Sequence, residues 1–125
     1  MLLRKQERAL LGPAEVARRL GVSIKALRLY ERRGLVRPRR TARGWRLYNE
    51  DDIDRLGQAL AFKAMGFGLS QIATLLDAGP ADVAAALAVQ EERLRQQRAA
   101  MEAALANLRD ARRRYGAQTM LRLVA

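Results

Sequence analysis

"GPAEVARRLGVSIKALRLYERRG", residues 12–34, decides the fold. Pro13 suits the first turn of a helix, where its missing N–H has no intrahelical partner to lose. Val16, Ala17 and Leu20 then make a narrow apolar stripe at helical spacing. Gly21 follows the stripe as a helix C-terminal glycine does, and Ser23 is a good N-cap for a second helix. Two helices joined by a turn of about three or four residues containing Gly form a helix-turn-helix.

The second helix is read by angle, at about 100° per residue. With Leu27 facing inward, Ile24 and Glu31 lie within about 60° of it. The opposite side carries Lys25, Leu29 and Arg32, flanked by Ala26 and Arg28. An ordinary solvated face would look similar. A small N-terminal end on a cationic face also suits entry into a major groove. On that reading the candidate contacts are Ser23, Lys25, Ala26, Arg28, Leu29 and Arg32.

Gly34 ends this helix and "LVRPRRTARGWRLY", residues 35–48, follows. Leu35 and Val36 are expected to form one extended piece, and Trp45, Leu47 and Tyr48 another. Pro38 and the Ala42–Gly44 region supply turn chemistry between them. The pattern predicts a two-stranded wing whose loop carries Arg39, Arg40 and Arg43. Like charges so dense repel one another unless an anion compensates them. The planar donor fork of arginine matches phosphate oxygens, and a DNA backbone would supply them.

The charge distribution agrees. The chain of 125 residues has a net charge of +11, and residues 1–47 hold 14 Lys or Arg against 3 acidic residues. The remainder is balanced, so the whole excess lies in the first third and points to a polyanionic partner. Cys and His are both absent, which excludes disulfides, a soft-ligand metal site and thiol or imidazole catalysis. No apolar run approaches the roughly 20 residues that span a bilayer. The start, "MLLRKQERALL", lacks a continuous apolar core and a cleavage site, so no signal peptide is expected and the expected compartment is the cytoplasm.

"NEDDIDRLGQALAFKAMGFGLSQIATLLDAG", residues 49–79, changes character. Asn49 is a strong N-cap, and Glu50, Asp51 and Asp52 place negative charge at the positive end of a helix. These carboxylates, with Asp54, are better explained as helix-start charges than as an acid–base pair, so no enzyme is expected. Ile53, Leu56, Leu60 and Phe67 recur on one face, and Gly66 ends the helix. Ser70 is expected to cap a short helix bearing Ile72, Leu75 and Leu76. Lys63 is either a plain surface lysine or one that reaches a phosphate.

Gly79–Pro80 marks a boundary, and residues 81–115 contain neither Gly nor Pro, a helix of about 50 Å. Leu87, Leu94, Met101, Leu108 and Tyr115 recur every seven residues. The companion line is Val83, Gln90, Gln97, Ala104 and Ala111, and Leu105 joins the predicted interface. Such a stripe needs a cover, which a second copy provides most simply. An antiparallel pairing lays the bulky line of one chain over the small line of the other. The alternative is a helix folded back onto its own head. Residues 116–125 read as a short tail that packs on a partner or frays.

In this order, "VARRLGVSIKALRLYERRGLVRPRRTARGWRLY", "DDIDRL" and "MGFGLSQI" resemble the MerR family of bacterial transcription regulators over residues 11–78. The resemblance implies a mainly α fold. A winged helix-turn-helix DNA-binding domain spans 9–78, an antiparallel coiled-coil dimerisation helix 80–115, and a tail 116–125. It also implies a homodimer on double-stranded promoter DNA that bends and untwists the duplex to realign promoter elements for RNA polymerase. Arg28 and Tyr30 match a motif usually reading Arg-Tyr-Tyr-Glu, with Leu29 in place of the first tyrosine. Arg43, Gly44, Arg46 and Tyr48 match the wing motif, with Trp45 in place of its tyrosine. The resemblance implies DNA contacts at Tyr30, Gly44, Trp45, Arg46 and Tyr48 beside those already given, with Lys63 as a further candidate.

Metal-sensing and iron–sulfur relatives use cysteines, so neither subclass fits and no cofactor is expected. No appended drug-binding domain is expected after residue 115. A pocket of the dimer helices, a partner protein, or no effector at all remain open. Two rivals stand beside this reading: an architectural or excisionase-like DNA-bending protein, and a coiled-coil adaptor whose basic head docks on acidic protein or anionic lipid. No membrane partner is expected under the main reading.

Overall fold

Helix α1, Pro13–Leu20, starts on its proline and buries Val16 and Ala17. The chain is described by a computed structural model covering residues 10–124. Residue 9 of the expected first domain, most of "MLLRKQERALL" and residue 125 lie outside the described residues. Gly21 closes α1 at φ 68°, a left-handed conformation that side chains with a Cβ avoid. There the Val22 N–H donates to the Ala17 carbonyl at 3.0 Å and the Gly21 N–H to Arg18 at 3.3 Å. This crossed pair satisfies the last carbonyls of the helix. Two residues on, Ser23 Oγ accepts the Ala26 N–H at 3.0 Å and starts α2, Ile24–Arg32. The helix-turn-helix is therefore built by Pro13, Gly21 and Ser23 as their chemistry predicts.

Helix α2 buries Leu27 and Tyr30. Ile24, expected inside, is 40% exposed. It occupies the first helical position, where no preceding turn of α2 lies alongside to cover its side chain.

The wing is shifted from its expected place. Leu35 and Val36 are fully buried core residues outside any strand, and the first strand, β1, is Arg39–Arg40. It pairs antiparallel with β2, Arg46–Leu47, in the register Arg39 to Leu47 and Arg40 to Arg46. Apolar residues in an extended conformation serve equally as a strand or as a buried connector, and here packing selects the connector. Beyond β2, Tyr48 exchanges two backbone hydrogen bonds of 2.8 Å with Leu11, which ties the entry of α1 to the wing.

Helix α3, Glu50–Ala64, begins with a reciprocal capping box: Asn49 Oδ1 accepts the Asp52 N–H at 2.8 Å, and Asp52 Oδ2 accepts the Asn49 N–H at 2.9 Å. Helix α4, Leu69–Leu76, is capped by Gly68 rather than by Ser70. Gln71 Oε1 reaches back to the Gly68 N–H at 3.1 Å, which starts the helix one residue before Ser70 and leaves Ser70 in its first turn. Leu56, Phe67, Ile72 and Leu75 complete the core of the head with Val16, Leu27, Leu35, Val36 and Tyr48.

Helix α5 is Pro80–Val124, 45 residues and about 67 Å long. No separate tail begins at 116, because the helix continues through Gly116. A single interior glycine costs about 1 kcal/mol, which a long helical run on both sides tolerates. The chain divides into two compact units between Ala84 and Ala85, inside α5 and later than the expected boundary at Gly79–Pro80. In the second unit Leu87, Leu94, Met101, Leu105, Leu108 and Tyr115 are all exposed.

Candidate nucleic-acid interface

Helix α2 and the wing supply the candidate surface, and both lie in the first unit. On α2, Lys25, Arg28 and Arg32 are exposed, while Ala26 and Leu29 are half-buried beside them. Among the described residues none of these three cations has an acidic partner. Ser23 is exposed, with its hydroxyl oxygen engaged by the Ala26 N–H.

The wing tip has a defined turn. Thr41 N–H donates to the Trp45 carbonyl at 2.8 Å and Gly44 N–H to the Thr41 carbonyl at 2.8 Å. Gly44 sits at φ 82°, and Thr41 Oγ1 accepts the Trp45 N–H at 3.1 Å. A three-residue loop ending in a left-handed glycine matches the twist of its strands. It sets Arg43 at the apex, with its guanidinium carbon 5.9 Å from the centroid of the Trp45 ring. Trp45 is 66% exposed, an unusual position for so large an aromatic. Arg39 is also exposed and has no acidic partner among the described residues.

Arg40 and Arg46 behave differently. Both bind Glu31 of α2: Arg40 Nη2 donates to Glu31 Oε1 at 3.1 Å, and Arg46 Nε donates to Glu31 Oε2. Arg40 Nη1 also donates to the Gly44 carbonyl at 3.2 Å. Glu31 turns inward as its angle from Leu27 predicts, and its partners lie 9 and 15 residues away in sequence, beyond what helix spacing can reveal.

Two expected DNA contacts are core residues instead. Tyr30 and Tyr48 are buried, so neither ring is presented at the surface. Tyr30 lies three residues from Leu27, about 60° around the helix on its inward side. Its hydroxyl accepts from Lys63 Nζ at 3.3 Å, and the ammonium stands 5.7 Å from the ring centroid. Lys63, exposed on α3, is thereby held close to α2. The Tyr48 hydroxyl has no hydrogen-bond partner among the described residues. Burial pushes its pKa up, and the nearby Glu31 carboxylate adds to the shift.

Among the described residues, no group of three or more acidic side chains gathers to hold a metal ion, and no helix is long and apolar enough to cross a membrane.

A cationic helix seated on a helix-turn-helix core, beside an arginine-tipped two-stranded hairpin, defines a winged helix-turn-helix protein. The chain belongs to the MerR HTH regulatory protein family, whose model matches residues 13–79. It is 43% identical over 81 residues to the HTH-type transcriptional regulator SkgA of Caulobacter vibrioides, covering 64% of this chain and 32% of that protein. The chain thus aligns with about a third of the length of such curated relatives. Among solved structures, it is similar to the N-terminal part of the Bacillus subtilis multidrug transporter activator. That match has a TM-score of 0.73 at 36% identity, over 78% of this chain and 93% of the other. A MerR-family regulator from Bacillus cereus matches with a TM-score of 0.75 at 26% identity, over 85% and 82% of the two chains.

Proposed function

We propose that this chain is a homodimeric, sequence-specific regulator that binds double-stranded promoter DNA and distorts it to control transcription by RNA polymerase. The observation that carries this is the row Lys25, Arg28 and Arg32 beside the wing cations Arg39, on β1, and Arg43, at the tip. All are exposed and without acidic partners among the described residues. Such a surface is unfavourable by itself and becomes favourable against phosphates. Ala26 and Leu29, small or apolar within that row, suit close approach to base edges and thymine methyl groups. Gly44 and Trp45 place the wing tip, and Lys63 adds a cation beside α2. The family's regulatory relatives support the same reading.

The dimer rests on the exposed stripe of Leu87, Leu94, Met101, Leu105, Leu108 and Tyr115. With Val83, Ala104 and Ala111 on the companion line, it would bury itself in an antiparallel coiled coil. The protein would act in the cytoplasm and answer to a small molecule, to a partner protein, or to no effector.

Footprinting on the chain's own promoter at physiological ionic strength, joined to transcription in vitro, tests this. A protected, bent site with altered transcript level is expected. Absence of preference for any native promoter fragment over random duplex would overturn it. Bending without a transcript change would instead indicate an architectural protein.

A further inference from the structure

We infer that Glu31 is a positioning residue of the DNA interface: it retains Arg40 and Arg46 when the duplex is bound, and so sets the spacing between α2 and the wing. This rests on the DNA-binding reading above and goes beyond it, because it divides the wing arginines into two kinds.

Three observations carry it. First, Arg40 and Arg46 face each other across the two strands, and one carboxylate takes one of them on each oxygen. A single side chain of the reading helix therefore holds both strands of the wing. Second, Arg40 is committed twice, to Glu31 and to the Gly44 carbonyl of the turn. Its donors brace the hairpin, whereas Arg43 points from the apex with no acidic partner among the described residues. Third, the carboxylate and one of its two arginines are sheltered: the Glu31 side chain is 19% exposed and that of Arg46 25%, while Arg40 is 49% exposed.

The alternative is that both arginines swing from Glu31 to DNA phosphates on binding. That would leave a half-buried carboxylate unpaired and facing a polyanion, beside the buried Tyr48 ring. Such an arrangement loses two charge-assisted bonds and adds like-charge repulsion. Keeping both arginines on Glu31 is therefore favoured over releasing both to phosphates.

The test uses the salt dependence of binding, which counts cations that displace counterions, at about 0.9 per phosphate contact. Fluorescence anisotropy of a labelled promoter fragment and of a random duplex is followed through a KCl series for the full chain and its variants. Arg43→Gln is expected to lower the slope by about one unit. Arg40→Gln is expected to leave the slope at the wild-type value while reducing the preference for promoter over random duplex several-fold. Glu31→Gln is expected to steepen the slope, by up to about two units, as two arginines are released.

If Arg40→Gln lowers the slope as Arg43→Gln does, the pair opens onto phosphate and the inference is overturned. Should Glu31→Gln fail to fold, as thermal melts would reveal, the comparison of Arg40→Gln with Arg43→Gln decides alone. Wild-type protein that binds neither duplex would overturn the proposed function instead, so the two failures are distinct.

Discussion

Arg55 on α3 grips Asp77, just past the end of α4, with both terminal guanidinium nitrogens at 2.8 and 3.2 Å, and its Nε donates to the carbonyl of Leu35. One side chain thus joins α3, the end of α4 and the buried connector that leads from α2 to the wing. The two ends of this brace are unequal, since Leu35 is buried and Asp77 is largely exposed. Arg55→Ala leaves the Leu35 carbonyl without its donor and should cost about 1–3 kcal/mol. Asp77→Asn should cost much less, because an exposed ion pair is screened by solvent. Urea denaturation of the two variants measures the difference, and equal losses would contradict this account.

The same pair fixes a pH dependence. The hydrogen bond from Arg55, and then its charge, hold the Asp77 carboxyl below the usual carboxylate range. A carboxyl depressed on folding contributes stability above its unfolded pKa, about 4, and loses it as pH falls through the lower folded value. The stability difference between wild type and Asp77→Asn should therefore be present at pH 6 and shrink at about pH 3. It should also diminish in high salt. Urea midpoints at the two pH values check this.

Tyr48 gives a prediction of the opposite kind. Its ring fills the core while its hydroxyl lacks a partner among the described residues, so part of the side chain is desolvated without return. Tyr48→Phe keeps the ring and removes that penalty, and stability should stay level or rise by up to about 1 kcal/mol. Because burial raises the Tyr48 pKa, wild type should lose stability as pH climbs past about 10, where the unfolded phenol ionises first. The Phe variant should be spared that component. Thermal melts from pH 8 to 11 would show it.

The helix-turn-helix was legible because its determinants are local. Pro13, Gly21 and Ser23, like Asn49 at the start of α3, act on backbone groups within five residues, so sequence spacing carries their geometry. The wing was legible in kind and misplaced in position, since Leu35 and Val36 suit a strand and a buried connector equally. Its motif places Tyr30 among the DNA contacts, and it is buried instead because it lies about 60° from Leu27 on the inward side of α2. What could not be read was the Glu31 pairing with Arg40 and Arg46. The three residues meet only after the wing folds beside α2, and a row of five arginines does not announce which of them are taken.

Arg28 separates base reading from phosphate attraction. It is exposed on α2, beside the half-buried Leu29 and one turn before Arg32, without an acidic partner among the described residues. Arg28→Ala should weaken promoter binding by about 1–3 kcal/mol and relax sequence preference if the guanidinium reaches a base edge. Arg46→Ala should also weaken promoter binding, by freeing the wing rather than by removing a phosphate contact. Competition binding with promoter and random duplex distinguishes them from a uniform loss of affinity. A variant that weakens both duplexes alike acts on phosphates only.

Leu94 tests the pairing of the long helix. It lies on the seven-residue line midway between Leu87 and Met101 and is 42% exposed in the single chain. A second helix laid along that line would take it into an apolar seam, where a carboxylate has no partner and pays its desolvation in full. Leu94→Glu should therefore raise the dimer dissociation constant at least about 100-fold, the equivalent of roughly 3 kcal/mol. Val89 is the internal control, because it is exposed and lies about 140° around the helix from Leu94. Val89→Glu should leave the dimer intact. Sedimentation equilibrium reads both, with circular dichroism confirming that helix content is kept. If Leu94→Glu remains fully dimeric while folded, the seam runs along some other face of α5.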